Sequence, residues 1–134
     1  AKLTPKEGGS LLDDTSFQRK LNETEIQLES IQYTEFRLMA ALAKGESPGP
    51  ESSVLKTLSA DIQQQLTELS VEAVAEFAAA HQPGARTVGA DTASIGNDDG
   101  KMAFTQYFNL RASSIAGGTN EVQKNIIAKM VLGL

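Results

Sequence analysis

Arg111 to Leu134 reads R-A-S-S-I-A-G-G-T-N-E-V-Q-K-N-I-I-A-K-M-V-L-G-L. It divides into the tail of one helix, a sharp turn and a second helix. Gly117 and Gly118 end the first helix, because glycine tolerates the backbone angles a turn demands. Thr119 is a natural N-cap, since its hydroxyl can accept a backbone N–H that the new helix leaves unpaired. Glu121 sits in the first turn, where a carboxylate suits the positive end of the helix dipole. Val122, Ile126, Ile127 and Met130 fall at helical spacing and give an apolar face. A Gly-Gly pair opening onto a helix start also exposes N–H groups that can receive an anion or a polar ligand atom.

Working outward, the rest of the chain reads as more helix. Its 134 residues suit one domain, residues 1–134. Apolar residues make up 40% and aromatics 5%, with no Trp. Ala, Leu, Gln and Glu dominate, all good helix formers, and alternating strand-like runs are absent. The expected fold class is all-α, an up-and-down four-helix bundle. Zero Cys excludes a disulfide framework and a Cys-ligated metal, and suits a reducing cytoplasm. A net charge of −5 argues against a nucleic-acid partner. No apolar run approaches the roughly 20 residues of a membrane span. No signal peptide is visible, and the opening reads as the middle of a longer chain.

Residues 1–12 are a polar lead-in containing Pro5, Gly8 and Gly9, with Leu11 and Leu12 placed to touch the bundle. Asp13 or Asp14 caps a first helix running to about Lys44. Phe17, Leu21, Thr24, Leu28, Ile31, Glu35, Leu38 and Leu42 form its inward stripe, in steps of three and four. Glu35 interrupts that stripe. A partly buried carboxylate requires a cation, and Lys56 is the candidate partner. G-E-S-P-G-P at Gly45–Pro50 is a turn, with Pro50 expected at the first helical position. A second helix is expected from about Glu51 to Ala80, with Leu55, Leu58, Ile62, Leu66, Leu69, Ala73 and Phe77 inward. Each long helix would span about 45 Å, and the short turn predicts an antiparallel pair.

The Gln63–Gln65 run reads as a solvated or interfacial face, and His81 as a lone residue at a helix C-terminus rather than a metal ligand. Residues 82–100 are rich in turn formers, and Asp91, Asp98 and Asp99 lack the spacing of a Ca²⁺ loop. No metal site is expected. A third helix, about Lys101 to Ile115, places Phe104, Tyr107, Phe108, Arg111 and Ile115 on or near its buried face. Arg111 is expected to hold an ion pair or a carbonyl. The fourth helix spans about Thr119 to Leu132.

The string I-A-G-G-T-N-E-V-Q-K-N-I-I-A-K-M-V-L-G-L from Ile115 closely resembles the C-terminal signature of the acyl-CoA dehydrogenase family. The Gly-Thr pair, the Glu two residues after the Thr, the Gln, the Ile-Ile-Ala and the closing Leu-Gly fall in register. The resemblance implies a C-terminal helical domain of an FAD-dependent enzyme that dehydrogenates an acyl-CoA thioester between its α and β carbons. It implies an electron-transfer acceptor and a homo- or hetero-oligomer as partners. Thr119, Asn120 and Glu121 resemble the helix start that touches the ADP half of FAD. Gly118 resembles the residue whose backbone lies near the thioester. Lys129 stands where many relatives have an Arg close to CoA or substrate; alternatively it is a solvated last-turn cation.

In many members a catalytic Glu immediately precedes the Gly-Thr pair. Here that position is Gly117, which cannot move a proton, so no catalytic residue is assigned. The base then comes from an earlier helix of the same domain or from a sister chain, or the domain binds or assembles without turnover. The rival from another class is a non-catalytic helical assembly domain. The loop at 82–100 has no clean copy of the Gly-Gly-x-Gly element with which relatives touch a neighbouring subunit's flavin. On its own the chain is expected neither to bind FAD tightly nor to oxidise acyl-CoA.

Overall fold

The computed structural model describes residues 5–6, 9–89, 91–96 and 98–134. Within the lead-in, Gly8 lies outside the described residues. So does the side chain of Asp99. A two-residue antiparallel ribbon, β1 (Pro5–Lys6) and β2 (Gly9–Ser10), precedes the helices. Everything else that is regular is helical, as the composition predicts.

Ser10 and Asp13 first make a reciprocal capping box around a short 3-10 turn: the Ser10 N–H donates to Asp13 Oδ2 at 2.8 Å and Leu12 N–H donates to Ser10 Oγ at 3.2 Å. Asp14 then caps α1 (Thr15–Ala43), accepting from Ser16 and Phe17 N–H. The two adjacent aspartates thus have separate jobs. Gly45, at φ +83°, carries the chain out of α1. Helix α2 (Glu51–Val74) starts at Glu51 as expected, with Pro50 as its N-cap rather than its first residue. Lys20 near the start of α1 pairs with Glu72 near the end of α2 at 2.8 Å, so the two helices are antiparallel.

Helix α2 is the common wall. It packs on α1 through one face and on α3 (Ala103–Asn109) and α4 (Asn120–Leu132) through another. Ile62 and Leu69 are buried on the first. Ser53, Thr57, Ala60 and Thr67 are buried on the second, where small side chains allow close approach. The buried hydroxyls of Thr57 and Thr67 donate to the Ser53 and Gln64 carbonyls, so burial leaves them paired.

Three expectations need correction. First, Glu35 is exposed and has no ion pair with Lys56. Only part of the predicted α1 stripe is covered. Phe17, Thr24 and Ile31 are buried, whereas Leu28 is half exposed, because among the described residues α2 is the main element packed against α1 and covers a narrow strip. Second, α2 stops at Val74 instead of Ala80. Ala75 takes φ +54°, ψ −134°, a conformation that costs a non-glycine residue of order 1–3 kcal/mol, and a 3-10 stretch follows to Ala79. No Gly or Pro marks this break. It coincides with the returning loop, where Gly100 lies so close to Val74 that an added Cβ would come within 2.7 Å of it. Gly96 approaches Phe77 similarly, at 2.8 Å. His81 is therefore seven residues beyond the end of α2 rather than at its C-terminus. Third, the helix expected over 101–115 is α-helical only from Ala103 to Asn109 and tightens to 3-10 from Leu110 to Ser114. The Ser113 and Ser114 hydroxyls take the Leu110 and Arg111 carbonyls, competing with the α-helical pattern.

Candidate functional site

The double-glycine turn forms because both residues adopt left-handed angles, Gly117 at φ +71° and Gly118 at φ +94°. Ala116 N–H still donates back to Ala112 at 2.8 Å, and two residues later the chain has reversed. Thr119 follows in extended conformation, and its hydroxyl accepts from Val122 N–H at 3.3 Å. Gln123 reaches back across the turn, donating Nε2–H to the Gly117 carbonyl at 3.1 Å. Among the described residues, the N–H groups of Gly118, Thr119 and Asn120 donate to no protein acceptor. The tip lies at the surface: Gly117 and Glu121 are exposed, and Gly118, Thr119 and Asn120 are half-buried.

Glu121 is held below the ordinary carboxylate range. Its own backbone N–H is the largest cause and the Thr119 hydroxyl the next; together they outweigh desolvation, with Lys124 and Lys56 adding attraction. Thr119→Val keeps the shape but removes the hydroxyl. Loss of the cap is expected to cost about 1 kcal/mol. The same change is expected to raise the Glu121 titration midpoint. A carboxylate whose folded pKa is depressed stabilises the fold above its unfolded pKa, and that contribution disappears as pH falls through the folded value. Removing the hydroxyl narrows that acid window. A side-chain carboxyl NMR titration showing the same Glu121 midpoint in both proteins would remove the hydroxyl from this account.

Asn120 is used differently from its neighbours. Its Oδ1 accepts from Lys56 Nζ at 3.1 Å and its Nδ2 donates to Asp61 Oδ1 at 3.2 Å. Both ends of the amide are thereby engaged by α2, and only its backbone N–H remains open. Lys129 is exposed in the last turn of α4, without an ion-pair partner among the described residues. Ten residues separate it from Thr119, about 15 Å along the helix axis. The tip residues are therefore together, and Lys129 stands apart from them.

Arg111 holds the segment before the turn. Its guanidinium donates to the Gln64 carbonyl at 3.0 Å and the Thr67 hydroxyl at 3.1 Å, pairs with Glu68 at 2.8 Å and lies 4.3 Å over the Tyr107 ring. Gln64 returns a bond to the Arg111 carbonyl at 3.2 Å, so the middle of the Gln run is interfacial. Lys56 and Asp61 were not legible as partners of Asn120. They lie 64 and 59 positions away, and no local pattern links them.

Other surfaces carry less. A polar cleft of about 250 Å³ lies between α1 and α2, lined in part by Lys20, Glu23, Gln65 and Glu72, and includes none of the tip residues. Among the described residues, no three His, Cys, Asp or Glu side chains gather to hold a metal, and no helix is long and apolar enough to cross a membrane.

The donor set at the tip suits an anionic or polar oxygen atom. Open N–H groups can receive phosphate or carbonyl oxygens, and an ionised Glu121 can accept from a hydroxyl. Neither a curated protein nor a solved structure matches the chain. Comparison with known families matches residues 1–132 to the domain described as acyl-CoA dehydrogenase, C-terminal domain. That match spans nearly the whole chain and includes the glycine turn and all of α4, so the chain belongs to the acyl-CoA dehydrogenase family, as its C-terminal helical domain.

Proposed function

We propose that this domain serves an FAD-dependent acyl-CoA dehydrogenase by presenting the α4 tip to the ADP half of the flavin and to the substrate thioester. The observation that carries the reading is the surface tip with three open backbone donors. On the cofactor side, the N–H groups of Thr119 and Asn120 would donate to diphosphate oxygens, and the Glu121 carboxylate would accept from a ribose hydroxyl. On the substrate side, Gly118 N–H would approach the thioester carbonyl, and Lys129 would attract a CoA phosphate. The roughly 15 Å between them suits an extended thioester rather than one compact group.

FAD, when bound, supplies the acceptor for the β-hydride. The α-proton needs a carboxylate in a dry site, and Gly117 offers none. The base therefore belongs to another segment or to a sister chain in a mixed complex. The reading carries with it an electron-transfer acceptor, a cytoplasmic setting and packing of helical domains into an oligomer. Exposed Phe108 on α3, Ile115 before the glycine turn and Met130 on α4 support the last point. The rival reading, a non-catalytic assembly domain, is favoured by the missing carboxylate and by the exposed Ile26, Tyr33 and Phe36 on α1.

Titration of the ¹⁵N-labelled chain with ADP and FAD separates the two. The expected result is weak, fast-exchange binding that shifts the amides of 117–122. No shift at the tip at millimolar nucleotide contradicts the proposal, and purification as a yellow protein with tightly held flavin contradicts the expectation that the chain alone binds it weakly.

A further inference from the structure

We infer that Lys56 of α2 is the positioning residue for the α4 tip, acting through Ser114 and Asn120. The inference rests on the tip being a ligand contact, and it assigns to α2 the job of aiming it.

The Lys56 ammonium lies 3.4 Å from the Ser114 carbonyl and 3.1 Å from Asn120 Oδ1. One cation thus bridges the residue before the reversal and the residue after it. Asp61 completes the clamp by accepting from the other end of the Asn120 amide at 3.2 Å. This arrangement also dictates which way the amide faces: its oxygen meets the cation and its nitrogen meets the carboxylate. Between Lys56 and Asp61, the buried Thr57 and Ala60 let the last helices approach α2 closely.

The turn needs such a fastener. An added Cβ at Gly117 would meet nothing within 4 Å, and at Gly118 only the end of the flexible Gln123 side chain. Side-chain packing therefore does not hold the turn, and glycine has more backbone freedom than any other residue. The bond from Gln123 to the Gly117 carbonyl lies within the turn and α4 and ties neither to α2, and Arg111 anchors only the segment that enters the turn. Lys56 is half-buried, so its bonds face less competition from water than an exposed lysine's would. Open donors at a helix start bind well only if they are already aimed, because ordering them on binding subtracts from affinity.

The test is made on the ¹⁵N-labelled chain without ligand. Lys56→Met is expected to move the Asn120 side-chain amide resonance. It should also speed amide exchange at Val122 and Gln123 about tenfold, while Ile31 and Ile62 keep their protection. In that background Asn120→Ala should add less than about twofold, since the two residues act as one unit. Lys56→Arg keeps a donor cation and should restore most of the protection. If Lys56→Met unfolds the chain, Asp61→Asn tests the exposed half of the clamp through the same Asn120 resonance. An unmoved Asn120 resonance, or fully additive effects of Lys56→Met and Asn120→Ala, would overturn the inference. Because these readouts need no nucleotide, the clamp can pass while ADP leaves the tip unshifted, which would sink the ligand reading alone.

Discussion

Ile62→Ala is expected to destabilise the chain by about 3 kcal/mol and to lower its melting temperature by roughly 10 °C. Ile62 is only 4% exposed and lies on the face of α2 that meets α1. Removing three carbons there loses the transfer free energy of those atoms and leaves a cavity. The expected value sits in the lower half of the usual range, because this core is thin. Among the described residues no side chain is completely enclosed, so neighbours and water can relax into the space. Ile26→Ala is the control. Ile26 is 66% exposed on α1, and its truncation should fall within about 0.5 kcal/mol of the parent. Thermal and urea unfolding followed by circular dichroism decide the matter. Equal losses from the two substitutions would mean that α2 is not the central wall.

Arg111→Met is expected to cost about 2 kcal/mol, mainly through hydrogen bonds rather than charge pairing. The guanidinium serves the Gln64 carbonyl, the Thr67 hydroxyl and the Tyr107 carbonyl, and it covers the Tyr107 ring. Bonds from a charged donor contribute about 1.5–3 kcal/mol each when intact, with partial exposure reducing the loss. Its ion pair with Glu68 is the lesser part. The Glu68 side chain is 54% exposed, and exposed pairs contribute about 0–1 kcal/mol. Glu68→Gln should therefore cost under about 1 kcal/mol. If Glu68→Gln proved as damaging as Arg111→Met in urea unfolding, the clamp would be electrostatic and this account wrong. Methionine is the sharper probe than alanine, since it keeps an apolar stem of similar length while removing the donors.

The clamp also joins the two parts of the proposed site. Arg111 pins the segment entering the turn to α2, and Lys56 and Asp61 pin the segment leaving it. Both anchors lie on the same helix, five and three residues apart in pairs: Lys56 and Asp61, then Gln64 and Thr67. A rigid helix carrying all four contacts gives the tip a fixed bearing, which loops alone could not.

Features governed by neighbouring residues could be read directly from the amino-acid order. The glycine reversal, the Thr119 cap, the Asp14 cap and the helical character of the chain all depend on contacts a few residues apart, and each residue type there has a short-range physical reason. The resemblance in the last twenty residues is legible for the same reason, since the turn and α4 are one continuous segment. What depended on distant parts of the chain was hidden. The end of α2 at Val74 carries no breaker residue and coincides with the loop returning at Gly96 and Gly100. Lys56 has a carboxylate on α1 that looks like a partner on paper, yet it turns to the opposite face of α2 and holds Asn120. Periodicity marks which residues are apolar along a helix, but how much of that stripe is covered depends on how many helices stand against it. For α1, among the described residues, the main one is α2, and Leu28, Phe36 and Met39 stay at the surface.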